Sequence, residues 1–191
     1  MIVGITGTLG AGKGAIAEYL VKKKGFKHLS VREFLNKELV KRKLTLNRDN
    51  LVSVGNELRK NFGPSYIAES LYNTANKSRK DCVIESLRAP GEITALRMKG
   101  EFYLFAVDAN PKLRYRRTVL IKEDIYQISF EEFTSNEKRE MDSRDPTKQN
   151  LRKCIKMADY KFLNNGAVEE LYREVERALE QINIKLASGK T

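Results

Sequence analysis

The sequence GTLGAGKG, at residues 7–14, constrains this chain more than any other stretch. It lies between the apolar run MIVGIT and an amphipathic segment, so we predict that it joins a strand to a helix. Glycines let successive backbone N–H groups turn toward one point without a Cβ clash. At the amino end of a helix those donors favour an anion. With Lys13 as a positive charge, the spacing G-x-x-x-x-G-K predicts a phosphate-binding loop.

The loop departs from the usual pattern directly after its lysine. Gly14 stands where a serine or threonine hydroxyl commonly helps to hold magnesium, and Ala15 follows it. Mg²⁺ keeps several water ligands and is often held mainly by the phosphates of its substrate. We therefore expect no direct protein ligand for Mg²⁺ in this loop. Glu85 is a candidate for orienting its water.

Apolar segments of strand length alternate with amphipathic segments along the chain. Strands are predicted in MIVGIT, FKHLS, DCVIES, FYLFAVDA and YKFLNN. Helices are predicted between them, including one that Asp49 or Asn50 would cap and that ends before Gly63. This alternation is typical of an α/β fold with a parallel sheet. Since the 191 residues contain no repeat or low-complexity block, we expect one domain over 1–191.

The charge balance favours an anionic partner. Lysine and arginine number 36 against 25 aspartates and glutamates, which gives a formal net charge of +11. Such a field attracts nucleotides, coenzymes or nucleic acid, although a generally charged surface has the same composition. No apolar run is long enough to cross a bilayer, and the amino terminus lacks a secretory pattern. Because Cys82 and Cys154 have no metal-like spacing, we expect a reduced, cytoplasmic setting without a membrane partner.

Three further stretches carry polar side chains suited to a second ligand. In HLSVREFL, Ser30 and Glu33 have the spacing of a helix capping box, which is also their ordinary interpretation. In VGNELRKNFG, Arg59 lies near a helix end, where a guanidinium fits phosphate but also offsets the helix dipole. In VIESLRAPGE, a buried strand ends at Glu85 and Arg88 follows in the turn, where α/β sheets bind ligands. An internal Glu85–Arg88 ion pair is the alternative.

These motifs resemble those of nucleoside monophosphate kinases. The loop G-x-x-G-x-G-K-G is similar to that of adenylate kinases, although Ala15 stands where that family typically has threonine. VIESLRAPGE resembles the V-I-D-G-I-R-x-P-x-E element of deoxynucleoside monophosphate and dephospho-coenzyme A kinases. Glu85 replaces its aspartate and Ser86 its glycine. ADYKFLNNGAVEEL, residues 158–171, resembles the closing segment of the same group.

The resemblance implies a three-layer α/β/α P-loop NTPase fold with a five-stranded parallel sheet. Acceptor-binding helices would lie at about 31–77 and a helical lid at about 112–152. The phosphoryl donor would be ATP with Mg²⁺, and Arg59 and Arg88 would bind the acceptor phosphate. The loop at Asn165 would lie near the adenine, although an Asn-Gly turn explains it as well. The implied ATP-binding residues are Gly7, Thr8, Leu9, Gly10, Ala11, Gly12, Lys13, Gly14, Ala15 and Asn165, and the implied acceptor-binding residues are Ser30, Glu33, Arg59, Glu85 and Arg88.

An arginine-rich polar stretch is predicted to form the lid. In PKLRYRRTVLIKED, Arg114 and Arg117 have the i, i+3 spacing of one helical face. In monophosphate kinases the equivalent segment closes over the donor, which excludes water from the migrating phosphoryl group. Arg139 and Arg144 lie on the far side of the lid, and a solvated surface is the favoured interpretation of these two residues. The predicted catalytic residues are Lys13, Arg88, Arg114 and Arg117.

These motifs favour ATP-dependent phosphoryl transfer to a nucleoside or deoxynucleoside monophosphate, giving the diphosphate. One alternative is a dephospho-coenzyme A kinase, which acts on a ribose hydroxyl and for which Glu33 is the candidate base. Another is a basic ATPase associated with nucleic acid, although no basic motif with interleaved aromatics supports it. We expect nucleotide substrates as partners and a monomer or homodimer. The single histidine, His28, is expected to be a structural or surface residue.

Overall fold

The structure, a computed structural model, describes residues 1–77, 80–120 and 128–189. Its strands are β1 (Ile2–Gly7), β2 (Lys27–Ser30), β3 (Cys82–Glu85), β4 (Phe102–Asp108) and β5 (Tyr160–Leu163). Its helices are α1 (Lys13–Lys24), α2 (Val31–Lys41), α3 (Arg48–Phe62), α4 (Tyr66–Asn76), α5 (Pro90–Arg97), α6 (Pro111–Leu120), α7 (Phe130–Met141), α8 (Leu151–Lys156) and α9 (Val168–Ala187). All five predicted strands are confirmed.

The five strands form one parallel sheet in the order β2-β3-β1-β4-β5. The central strand β1 pairs with β3 on one side and β4 on the other, with Ile5 opposite both Glu85 and Phe105. The carboxyl ends of parallel strands meet at one edge of a sheet, so the glycine-rich loop after β1 lies beside the ends of β3 and β4. This edge is where α/β sheets bind ligands.

Each face of the sheet carries its own buried core. Side chains of β3 alternate between the two cores, with Ile84 facing one and Val83 the other. The Ile84 core is covered by α2, α3, α4 and α5 and includes both Cys82 and Cys154. The Val83 core is covered by α1 and α9. A sheet covered on both faces explains why β1, β3 and β4 are nearly continuous apolar runs. It also confirms the three-layer α/β/α fold.

Local signals set the helix boundaries. Ser30 caps α2, because its side chain accepts a hydrogen bond from the Glu33 N–H at 3.3 Å. The prediction that Asp49 or Asn50 caps α3 is wrong. The cap is Asn47, whose extended backbone lets its side chain accept from the Asn50 N–H at 2.8 Å.

Two helical groups occupy the stretches expected for substrate handling. Helices α2, α3 and α4 lie in the stretch expected for acceptor binding, at about 31–77. Helices α6 and α7 lie in the stretch expected for the lid, at about 112–152, of which residues 121–127 are outside the described ranges. Helix α8 begins at the end of that stretch and continues beyond it. None of the helices in the described ranges has both the length and the apolar character needed to cross a membrane.

Candidate active site

The loop between β1 and α1 is shaped as an anion cradle. Its Gly12 precedes α1 with φ 109°, and no side chain caps that helix end, so the first N–H groups of α1 can bind a ligand. A Cβ at Gly12 would collide with the Asn164 side chain. At Gly10, with φ 75°, a Cβ would collide with the backbone carbonyl of Arg114. Both positions therefore require glycine, and the loop packs against α6 and the segment after β5.

Lys13 lies inside this cradle. Its Nζ donates to the carbonyls of Gly7 at 2.9 Å and Thr8 at 2.7 Å, and the residue is 8% exposed. Burial, reinforced by the nearby charge of Arg88, lowers the pKa of Lys13 to about 7. A phosphate beside Nζ would favour the charged form, so anion binding is coupled to the protonation of Lys13. A Cβ at Gly14 would have no heavy atom within 4 Å beyond its chain neighbours, so there is open space at this position of the loop.

A pocket of about 680 Å³ joins this loop to the polar side chains after β2 and β3. The predicted site residues that line it are Leu9, Gly10, Gly12, Lys13, Gly14, Ala15, Ser30, Glu33, Arg59, Glu85, Arg88 and Arg117. The predicted site residues outside its walls are Gly7, Thr8, Ala11, Arg114 and Asn165. Gly7, Thr8 and Ala11 instead supply the backbone that shapes the loop. The pocket thus brings together most of the predicted donor and acceptor residues.

Glu85 and His28 form an ion pair in the wall of the pocket. The Glu85 Oε2 lies 3.0 Å from His28 Nε2. Burial raises the pKa of Glu85, but the His28 hydrogen bond and the Lys13 charge outweigh it, so the net pKa is lowered. The Glu85 hydrogen bond in turn raises the pKa of His28 against the effect of burial. His28, expected only as a structural or surface residue, therefore belongs to the pocket, and Glu85 pairs with it rather than with Arg88.

Arg59 is a buried arginine that keeps one donor uncommitted. The residue is 1% exposed, and its Nε and Nη2 donate to Glu92 Oε1 at 3.1 and 2.8 Å. Its Nη1 is buried and makes no hydrogen bond within the described residues, although the residue lines the pocket. Glu92 Oε2 accepts from the N–H groups of Arg88 at 2.9 Å and Ala89 at 3.0 Å. One carboxylate thus orients Arg59 and the backbone that carries Arg88.

Two residues that the sequence analysis missed complete this corner. The Glu140 carboxylate accepts from Arg88 Nη1 through Oε2, and its Oε1 lies 2.6 Å from Arg48 Nη2. All three side chains line the pocket. Arg48 begins α3 and Glu140 lies near the end of α7, so no local pattern in the sequence indicates their contact.

The two lid arginines have different surroundings. Arg117 lines the pocket and donates from Nη1 to the Asn164 carbonyl at 2.8 Å. Arg114 is 2% exposed, and its guanidinium binds both carboxylate oxygens of Glu137 and the carbonyl of Ala109. Of the two predicted catalytic arginines on α6, only Arg117 therefore lines the pocket. Because the Arg114 guanidinium is enclosed by Glu137 of α7 and by the Ala109 carbonyl before α6, its geometry is that of a positioning residue.

The remaining polar predictions fall on the surface or beside the pocket. Arg139 has a side chain that is 64% exposed and lies 3.6 Å from Asp49, and Arg144 is exposed. Asn165 Oδ1 accepts from the Asn110 N–H at 2.7 Å, which holds a turn. Its neighbour Asn164 is the residue that faces the cradle, with Nδ2 donating to the Ala11 carbonyl at 2.8 Å. Because Asn164 and Asn165 are adjacent in the sequence before Gly166, the sequence could have indicated either of them as the residue beside the glycine-rich loop.

Known proteins with similar sequences are uncharacterised archaeal relatives. A UPF0200 protein of Thermococcus kodakarensis is 28% identical, over 97% of this chain and 100% of that protein. A UPF0200 protein of Methanococcus maripaludis is 24% identical, over 95% of this chain and 97% of that protein. The chain thus matches these relatives along almost their whole length.

Solved structures with the same fold include two kinases. A gluconokinase from Sinorhizobium meliloti has a TM-score of 0.63 and 14% identity, covering 99% of this chain and 97% of its own. A shikimate kinase from Aquifex aeolicus has a TM-score of 0.54 and 14% identity, covering 96% of this chain and 99% of its own. At this identity the likeness shows the fold alone.

The family model that matches this chain describes an AAA domain. The match runs over residues 3–142, from β1 through the glycine-rich loop and the pocket walls to the end of α7. It therefore includes Lys13, the arginines at the pocket and Glu140. With most of its length matched, the protein belongs to the AAA domain family AAA_18.

Proposed function

We propose that this protein is an ATP-dependent kinase whose acceptor is a nucleoside or deoxynucleoside monophosphate. The observation that carries the proposal is that one pocket of about 680 Å³ contains both the Lys13 cradle and a group of arginines. The cradle suits the phosphates of a nucleoside triphosphate. The arginines suit a second phosphate, because a guanidinium matches phosphate oxygens. Two anion sites in one pocket are what phosphoryl transfer between two nucleotides requires.

On the donor side, the loop would hold the triphosphate through backbone N–H groups and Lys13. Phosphoryl transfer depends on in-line positioning and charge stabilisation more than on covalent chemistry. Lys13 would take up a proton beside the γ-phosphate, because its pKa of about 7 means that the charged and neutral forms are both populated at neutral pH. Arg117, held by the Asn164 carbonyl in the pocket wall, is the lid arginine best placed to meet the moving group.

On the acceptor side, Arg59 and Arg88 would bind the acceptor phosphate. The uncommitted Nη1 of Arg59 supports this role, because a buried donor without a partner is costly unless a ligand satisfies it. Glu92 fixes the guanidinium of Arg59 and the backbone of Arg88 together. The acceptor phosphate would thus be held by groups that are already oriented.

Mg²⁺ would bind at this site together with the nucleotide, rather than to protein ligands alone. Within the described ranges, no cluster of three or more His, Cys, Asp or Glu side chains could hold a metal alone. The ion would be held by ATP phosphates and water, and Glu85, ionised in the pocket wall, would orient that water. When bound, Mg²⁺ would neutralise charge on the transferring phosphoryl group.

A hydroxyl acceptor is the second candidate, as in a dephospho-coenzyme A kinase. The position of Glu85 favours it, because this carboxylate lines the pocket and could accept a hydrogen bond from a hydroxyl of the acceptor. Glu33, proposed as the base from the sequence, also lines the pocket. A monophosphate acceptor needs no such base.

The test is ADP release by the purified protein with Mg·ATP and a panel of acceptors. The panel contains ribonucleoside and deoxynucleoside monophosphates and dephospho-coenzyme A. We expect turnover with at least one monophosphate, and Arg88→Gln should raise the KM of that acceptor far more than the Kd of ATP. Turnover with dephospho-coenzyme A alone would select the second candidate. Equal losses for both substrates in Arg88→Gln would remove Arg88 from the acceptor site.

A further inference from the structure

We propose that Glu140 is an internal occupant of the acceptor anion site, and that Arg48 is a third arginine of that site. This inference rests on the proposed function and deepens it. Glu140 is 6% exposed. One of its carboxylate oxygens contacts the guanidinium of Arg88 and the other contacts that of Arg48. A phosphate would present two of its oxygens to Arg48 and Arg88 in the same way. The carboxylate therefore marks where an acceptor phosphate binds.

The surroundings of the two arginines support a ligand site rather than a surface ion pair. The Arg48 side chain is 15% exposed and that of Arg88 is 17% exposed. Arg59 lines the same pocket and has the uncommitted Nη1 described above. Three guanidinium groups thus converge on one pocket that also contains Lys13. Glu92 already pairs with Arg59, whereas Arg48 and Arg88 share the one carboxylate of Glu140. That carboxylate offsets only part of the charge of the two arginines, so a dianionic phosphate is a stronger partner for them.

Glu140 also separates this pocket from a second cavity. That cavity has a volume of about 520 Å³ and lies between α3, α7 and the segment after α7. Arg48, Glu140 and Gln149 line both spaces, so the Arg48–Glu140 pair forms part of the boundary. Displacement of Glu140 by a phosphate would open a path between the two cavities. The acceptor site would then extend beyond the arginines into the second cavity.

The second cavity indicates the chemistry of the rest of the acceptor. Gln149 is 8% exposed, and its buried Oε1 makes no hydrogen bond within the described residues. The buried Oδ1 of Asn56, which also lines this cavity, is in the same situation. Two acceptor atoms without partners favour a ligand that donates hydrogen bonds, such as one with hydroxyl or amino groups. An acceptor with a phosphate at one end and such donors at the other fits both spaces.

The displacement makes an anionic acceptor necessary. Glu140 lies on α7, in the lid stretch, so its release would exchange a contact between α7 and α3 for a contact with the ligand. A neutral acceptor offers nothing to replace the carboxylate at Arg48 and Arg88. Glu140 would therefore act as a specificity-determining residue, which lowers the affinity for every acceptor but excludes uncharged ones.

Calorimetry with inorganic phosphate tests the inference. The full chain is first saturated with Mg²⁺ and a non-hydrolysable ATP analogue, so that the glycine-rich loop is filled, and phosphate is then titrated. Because Glu140→Gln removes the competing charge at the same size, we expect phosphate affinity to rise about tenfold, or about 1.4 kcal/mol. Glu137→Gln is the matched control, since Glu137 lies on the same helix and pairs with Arg114 away from the pocket. It should not raise phosphate affinity.

Arg48→Gln gives the second arm. We expect it to weaken phosphate binding about tenfold with ATP-analogue affinity unchanged, whereas Arg42→Gln, at the exposed pair with Glu57, should change neither. Unchanged or weaker phosphate binding in Glu140→Gln would overturn the inference. If Glu140→Gln does not fold, unchanged phosphate binding in Arg48→Gln would overturn it instead. Failure of the ATP analogue to bind the wild type would count against the proposed function rather than against this inference. In that case, titration of phosphate without the analogue would still compare the phosphate affinities of the variants.

Discussion

The side-chain amide of Asn164 donates a 2.8 Å hydrogen bond from Nδ2 to the backbone carbonyl of Ala11. This contact fastens the segment after β5 to the glycine-rich loop, although the two residues are far apart in the sequence. It also explains why Gly12 cannot carry a side chain, since a Cβ there would occupy the position of Nδ2. The shape of the cradle thus depends on a residue outside the loop.

Asn164→Ala should therefore weaken ATP binding more than Asn165→Ala. Loss of the Ala11 contact leaves a buried carbonyl without its donor and lets the loop move, which we expect to cost about 1–2 kcal/mol of ATP affinity. Asn165 instead holds the backbone of Asn110, beside the pocket rather than in its wall. Calorimetric Kd values for Mg·ATP provide the comparison. A larger loss in Asn165→Ala would contradict this assignment and favour the adenine contact implied by the resemblance.

Removal of Glu92 should destabilise the fold strongly. Glu92 is 0% exposed, and its carboxylate binds the Arg59 guanidinium and two backbone N–H groups. Glu92→Ala leaves a buried charge and buried donors uncompensated, so we expect the free energy of unfolding to fall by about 3–5 kcal/mol. Glu57→Ala, which removes the exposed partner of Arg42, should cost less than about 1 kcal/mol. Urea denaturation measures both, and similar losses would contradict the structural role of Glu92.

The His28–Glu85 pair should stabilise the fold most in mildly acidic solution. The pKa of His28 is raised from 6.5, so its contribution is complete below that value and is lost as the pH rises through the folded pKa. The pKa of Glu85 is lowered from 4.5, so its contribution is present above that value and is lost on acidification. The wild type should exceed His28→Gln in unfolding free energy near pH 5.5, by less than about 1 kcal/mol because the pair is partly exposed.

The same comparison near pH 8.5 supplies the control, about two units above the ordinary pKa of histidine. The difference between wild type and His28→Gln should shrink there, because His28 loses its charge. A difference that grows with pH would show that the pair does not titrate in this sense.

Ser86 should tolerate glycine and reject a β-branched residue. It follows Glu85 with φ 73°, a left-handed conformation that costs an L-residue about 1–2 kcal/mol. Ser86→Gly removes that strain but gains chain entropy in the unfolded state, so we expect a net change within about 1 kcal/mol. Ser86→Val should destabilise the fold by about 1–3 kcal/mol. Thermal unfolding of the two variants tests the order, and a more stable valine variant would contradict it.

Features coded by neighbouring residues were predictable from the sequence. The central strands β1, β3 and β4 were found because each is a short apolar run that is buried on both faces of the sheet. The glycine-rich loop was found because Gly10, Gly12 and Lys13 act within a few residues of one another. The Ser30 cap depends on the Glu33 N–H three residues later, which is again local.

Features that depend on contacts between distant residues were not predictable. A charged side chain in the sequence does not reveal its partner, so Arg114 resembled Arg117 until Glu137 was found to enclose it. Likewise, the Glu140 contacts join α7 to α3 and to the turn after β3. An arginine that is buried against a carboxylate and an arginine that lines the pocket cannot be told apart from the sequence alone.

The central claim is that the cradle at Lys13 binds the phosphates of a nucleoside triphosphate. The most direct measurement is calorimetry of Mg·ATP with wild type and Lys13→Met at pH 6 and pH 8 in two buffers of different ionisation heat, with the exposed Lys22→Met as control. Since the pKa of Lys13 is about 7, we predict saturable binding with proton uptake at the higher pH and little uptake at the lower one. Lys13→Met should lose most of the affinity and the uptake, and Lys22→Met should lose neither. Absence of binding in the wild type, or equal binding in Lys13→Met, would contradict the account.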